Sequence, residues 1–154
     1  MKLQKASCFA IYAVLELAAN PTHQLSGTEI ADKYGISAHH LAKVLRDLGR
    51  ARIVDAVRGV GGGYQLIANP KRLTLLDVIE LFEPIGRRAR ATSDAKTTPD
   101  ASAALRLVLN ELDDHAVATF RSITISTMLK LMARRPWANA TSASRPARNV
   151  VAHR

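Results

Sequence analysis

The sequence is poor in cysteine, in aromatic side chains and in long apolar runs, and each shortage closes off a class of protein. One cysteine, Cys8, stands among 154 residues. A lone thiol cannot close an internal disulfide, so the fold does not depend on an oxidising compartment. Aromatics make up 5% of the chain against 47% hydrophobic residues overall, so Leu, Ile, Val and Ala must fill the core. No run of about 18 apolar residues occurs, which excludes a membrane-spanning helix. The N-terminus, Met1-Lys2-Leu3-Gln4-Lys5, leads into a mixed segment carrying Glu16 rather than an uninterrupted apolar one. No secretory signal is read there, and a cytoplasmic location is expected.

Negative charge is also scarce. The formal charge is +9, and such a balance favours polyanionic partners. Its distribution is uneven. Residues 1–86 hold 10 Lys/Arg against 8 Asp/Glu, a net of +2, and residues 87–154 hold 12 against 5, a net of +7. Bulk charge is therefore a weak argument for what the N-terminal half binds.

What is present is a sequence of helix signals followed by a hairpin signal. Residues 7–19 are apolar around most of a helix circumference, with Ser7 as cap and Asn20-Pro21 as stop, which predicts a buried helix. Thr28 is read as the cap of a short helix ending at Gly35. Ser37 caps a second helix over about 38–50, whose core stripe is Leu41, Val44, Leu45 and Leu48. Two helices joined by a short glycine-containing turn make a helix-turn-helix. Residues 52–58 and 64–68 read as two strands around the glycine-rich turn Gly59-Val60-Gly61-Gly62-Gly63, a wing. Thr74 caps a further helix over about 75–82. The predicted fold class is mainly α with a small β-hairpin: a winged helix-turn-helix plus a long dimerisation helix.

The expected organisation is a DNA-binding domain over 1–84, a polar loop over 85–100, dimerisation helices over 101–135 and a disordered basic tail over 136–154. The long helix, capped at Asp100 or Ser102 and running to about 121, carries Leu105, Leu109, Leu112, Ala116 and Phe120 at near-heptad spacing. Such a stripe suits a helix–helix seam. Residues 123–132 read as one more helix.

Four stretches carry a resemblance: Met1-Lys2-Leu3 before the first helix, Ile36-Ser37 with Leu41 at the recognition helix, Val57-Arg58-Gly59 with Gly61-Gly62-Gly63-Tyr64 and Leu66 in the wing, and Leu73-Thr74-Leu75 with Val78-Ile79 after it. On these the chain resembles the Rrf-two family of bacterial winged-helix regulators, which includes the IscR and NsrR types. The resemblance implies a homodimer, usually a repressor, bound to a palindromic operator in double-stranded DNA. It also implies that the long helices of two subunits cross. Cluster-binding members of the family carry three cysteines in the loop before the long helix. Residues 85–104 hold none here, and thiolates are what hold iron in such clusters. No iron–sulfur cofactor is expected, and no enzymatic activity.

The first turns of a recognition helix approach base edges in the major groove. His39, His40 and Lys43 point away from the apolar stripe and are the candidates for base readout. Ser37, Thr28, Arg46 and Arg50 are candidates for phosphate contact, which positions a protein without specifying sequence. Arg58 and Gly59 begin the wing, where an arginine can enter a narrow minor groove.

The same residues admit other readings. The wing is no dinucleotide loop, because the sixth position from Gly59 is Tyr64 and a strand follows. His39 and His40 point roughly 100° apart on a helix and cannot easily share a metal. Asp113, Asp114 and His115 lack a nucleophile or third ligand nearby and read as a solvated face. Arg87, Arg88 and Arg90 read as a solvated loop with some attraction for phosphate. Cys8, in the first turn of the first helix, is either a small buried hydrophobe or a sensor. The second possibility makes the chain a redox-, nitric-oxide- or metal-responsive regulator gated through that thiol.

Overall fold

The computed structural model describes residues 2–59, 61–85 and 100–134. The loop predicted over 85–100, apart from its end residues, and the tail predicted over 136–154 lie outside them.

Helix α1, Lys5–Ala19, is the hub. It touches α2 (Gly27–Tyr34), α3 (Ala38–Arg50), α4 (Leu75–Ile79), α6 (Ile125–Arg134) and the second strand of the hairpin. A helix surrounded on so many sides needs apolar residues around most of its circumference, and Ala10, Ala13, Val14, Leu15 and Leu17 are all buried. It begins two residues earlier than predicted. Gln4 is its N-cap, without a side-chain bond, and Ser7 is not a cap. Ser7 is fully buried instead, donating its hydroxyl to Glu83 Oε1, which also accepts the Gln4 backbone N–H at 2.9 Å. One carboxylate after α4 thus takes the place of a cap at the start of α1.

The cap of α2 also shifts. Ser26, not Thr28, closes a capping box: its Oγ accepts the Glu29 N–H at 3.1 Å, and Glu29 Oε2 accepts the Ser26 N–H at 2.7 Å. These bonds to the charged form hold the Glu29 carboxyl below its ordinary range. The helix leaves through Gly35 in the left-handed conformation, and α3 begins after Ser37, as the helix-turn-helix pattern predicts. Leu41, Val44, Leu45 and Leu48 are buried against the core.

Strands β1 (Val54–Val57) and β2 (Gly63–Leu66) pair antiparallel, Val54 with Leu66 and Val57 with Gly63. Both are shorter than predicted. Arg52 starts no strand: it takes φ 55°, and its N–H bonds back to Gly49 O at 3.0 Å, closing the end of α3. Leu25 adds a third partner outside the hairpin. Its N–H and carbonyl bond to Tyr64 at 3.1 and 2.8 Å, tying the wing to the segment before α2.

Helix α4 opens with a second capping box, Thr74 with Asp77, and stops at Ile79, short of the predicted 82. The 23-residue α5, Asp100–Ser122, follows. Between α5 and α6 the chain pairs with the segment before α4: Leu75 N–H bonds to Ile123 O and Ile125 N–H to Leu73 O, each at 2.9 Å. Ile125 is completely buried, so α6 and the end of α5 share one core with the winged helix.

Candidate nucleic-acid interface

Successive residues of a helix turn through about 100°. His39, Lys43, Arg46 and Arg50 follow at intervals of four, three and four, so they share roughly 60° of arc. That arc is opposite the buried stripe, and all four residues are exposed. The outer face of α3 is therefore a column of three permanent cations and one imidazole. Asp47 lies beside it: its Oδ1 is 3.4 Å from Arg50 Nη1 and 3.9 Å from Arg46 Nε. The carboxylate restrains both arginines without burying either.

Ser37 is exposed at the N-cap of α3 and makes no side-chain cap bond, so its hydroxyl is open to a partner. Thr28, freed of capping by Ser26, stands exposed in the first turn of α2. His40 is also exposed but falls outside the column, on the flank of α3 that faces Lys5, Phe9 and Phe82. It lies to one side of the column, next to His39, whose ring centroid is 6.1 Å away, and shares that flank with Lys43.

The wing brings Arg58 and Gly59 to an exposed turn at the far end of the hairpin. Gly59 and Gly61 have φ 112° and 78°, and Gly62 N–H closes the turn onto Gly59 O at 2.9 Å. Gly63 is needed for a different reason. A Cβ there would lie 2.7 Å from the Leu25 carbonyl oxygen, so a side chain would push the wing off the strand-like partner that aims it. The sequence signals the glycines but not Leu25, whose role exists only once residues 25 and 64 meet.

A second element of the site is not among the predicted residues. Glu16 is 8% exposed on α1. It accepts Lys33 Nζ at 2.6 Å and Tyr34 Oη at 2.9 Å, both from the last turn of α2. Tyr34 also stacks on Tyr12 of α1, with ring centroids 5.0 Å apart. Burial first, then the hydrogen bond to Glu16, pushes the Tyr34 hydroxyl up to about 12. This network fixes the helix-turn-helix onto α1. The only available signal was a charged residue inside an otherwise apolar helix.

Cys8 is half-buried and lies one turn inside α1, its N–H already donated to Gln4 O at 3.1 Å. It is therefore not in the first turn of α1. Of the stripe predicted for helix–helix contact, Leu105, Leu109 and Leu112 are 50–59% exposed, and Val108 joins them at 58%. Ala116 is half-buried. Phe120 leaves the stripe: it is half-buried against the chain's own core beside Val117 and Ile123. At about 100° per residue, the closing step of four turns Phe120 about 40° past Ala116, toward Val117.

A recognition helix with a cationic outer face, held on a hub helix and followed by a glycine-turned hairpin, defines a winged-helix DNA-binding transcription regulator. The comparisons agree at the level of family. The model for Rrf2, described as an iron-dependent transcriptional regulator, matches residues 3–131. The chain belongs to the Rrf2 family. It is 52% identical over 132 residues to BadM, named an HTH-type transcriptional regulator, of Rhodopseudomonas palustris, covering 86% of this chain and 83% of that one. Among solved structures, CymR, the global cysteine regulator of B. subtilis, superposes with a TM-score of 0.70 at 25% identity, over 85% of this chain and 98% of that one. IscR of T. potens shares the fold, with a TM-score of 0.64 at 24% identity over 84% and 87%. These relatives are transcriptional regulators, not enzymes.

The family description raises iron. A three-thiolate cluster site does not fit this chain, which has one cysteine in 154 residues. Among the described residues, no three His, Cys, Asp or Glu side chains come together in a way that could hold a metal ion. No helix among them is long and apolar enough to cross a membrane.

Proposed function

We propose that the chain is a homodimeric repressor that occupies a palindromic operator and does so without a three-cysteine iron–sulfur cluster. The observation that carries the DNA-reading part is the column His39, Lys43, Arg46 and Arg50 on the outer face of α3. On this reading α3 enters the major groove. His39 and Lys43, nearer its N-terminus, face base edges, and Arg46 and Arg50 hold phosphates. Ser37 and Thr28 add phosphate contacts from the helix starts, and Arg58 reaches the adjacent minor groove from the wing.

The dimer part rests on α5. Leu105, Val108, Leu109 and Leu112 fall within about 100° of arc and are more than half exposed or nearly so. Four large aliphatic side chains on one face of one long helix are an exposed patch that a second copy of the same helix can cover. Two recognition helices related by the resulting two-fold axis would read the two halves of a palindrome.

Footprinting on DNA upstream of its own coding sequence tests the whole proposal. The expected result is protection of an inverted repeat, with half-sites about one helical turn apart or a multiple of it. Folded, dimeric protein that protects no such repeat there or on neighbouring promoters would refute it.

A further inference from the structure

A groove of about 280 Å³ lies between the first two turns of α1, the flank of α3 and Phe82 just after α4. Its lining combines two kinds of residue that DNA binding does not need together. Phe9, Phe82, Ala6 and the buried Val44 give an apolar floor. Lys5, His40 and Lys43 stand on the rim, all exposed. Among the described residues, the only acid in the lining is Asp47, which already lies within 4 Å of Arg46 and Arg50. The rim is therefore cationic and its floor apolar. A phosphate backbone would use the first property and waste the second.

We propose that this groove is an effector site for a small apolar monocarboxylate. The hydrocarbon body lies between Phe9 and Phe82 on Val44, and the carboxylate meets Lys5 and Lys43. At about 280 Å³ the groove is at the small end of ligand sites, which run from roughly 300 Å³ upward and are mostly apolar with a few placed polar groups, so it suits only a small ligand. The site is coupled to DNA through α3: Lys43 belongs both to the rim and to the cationic column, and His40 and Val44 belong to the same helix. A carboxylate bound to Lys43 withdraws that cation from DNA, so occupancy lowers operator affinity. This last step rests on the proposed DNA-reading role of α3; the binding site itself does not.

The test uses the full chain with 4-phenylbutyrate as the probe and its neutral amide as the control. Binding is followed by amide NMR shifts on titration. The expected pattern is a saturable set of shifts centred on Ala6, Phe9, Val44 and Phe82, with the amide about fivefold weaker because it lacks the ion pairs. Phe82→Ala should weaken binding, and Lys5→Gln, an exposed change that leaves the fold intact, should reduce the carboxylate's advantage over the amide. Shifts confined to the α5 face, or equal affinity for acid and amide, would overturn the site. So would inorganic phosphate producing the same shifts, which would mark the rim as a phosphate contact only. In a parallel gel shift, the probe should release operator from the parent chain and release less from Lys5→Gln. Groove shifts without any operator binding would leave the site standing and sink the DNA-reading proposal instead. Groove shifts together with operator binding that the probe leaves unchanged would sink the coupling.

Discussion

Glu16 shows how much one side chain can do for a site it never touches. A carboxylate that is 8% exposed would be costly alone, but Lys33 and Tyr34 satisfy it, and both come from the helix that precedes the recognition turn. Replacing Glu16 with Gln should cost about 1–2 kcal/mol, read as a lower urea midpoint. The Tyr34 phenol should then titrate below about 12 but stay raised, because burial, its first cause, remains. A hydroxyl raised in the folded state contributes stability below its unfolded value near 10, and that contribution is lost as pH climbs toward about 12. Phenolate absorbance against pH reads the shifted titration, and urea midpoints across the same pH range read the lost stability. On the outer face of α3, Arg46→Ala should weaken operator binding by about 1–3 kcal/mol and shallow the salt slope by about one counterion. His39→Ala should instead relax discrimination between operator variants. Equal loss on all sequences would reassign His39 to phosphate.

Elements are aimed by contacts that lie between them. The wing owes its direction to two bonds between Leu25 and Tyr64, and Gly63 is what lets those backbones approach. Gly63→Ala should therefore cost about 1–3 kcal/mol through overpacking and also lose operator affinity. A folded Gly63→Ala chain with unchanged thermal midpoint and unchanged affinity would show that the wing is aimed by something else. Helix α1 was legible as buried because its apolar residues leave no polar face. Its start was not legible, because Ser7 is a normal capping residue by type and its hydroxyl is taken by Glu83, 76 positions away. Thr28 and Ser26 present the same difficulty at closer range. Both can cap, and the choice falls to Ser26 because only from there is Glu29 the third residue of the helix.

At the scale of the whole molecule, α5 carries an exposed apolar face of Leu105, Val108, Leu109 and Leu112. Replacing Leu109 and Leu112 together with Glu should halve the mass measured by light scattering if that face joins two copies. Operator affinity should fall with it, since each half-site contact then binds alone. An unchanged mass would move the interface elsewhere. The mild net charge of residues 1–86 has a consequence at this scale too. Binding should depend on placed side chains more than on bulk attraction, in keeping with a column in which Asp47 restrains two of the cations.

The sequence alone determined the order of helices, the turn before α3, the wing and the want of thiolates for a cluster. These are local matters: apolar period, glycine placement and residue type carry them without reference to distant parts of the chain. Only the tertiary structure decided which polar residues are spent on the fold and which remain for a partner. Ser7, Ser26, Glu16 and Glu83 are consumed by contacts, while Ser37 and Thr28 are left open. It also turned Phe120 against the core and put His40 at a groove shared with α1 and Phe82. A hydrogen bond or a packed face needs two partners, and where the second is far along the chain, no window of sequence contains both.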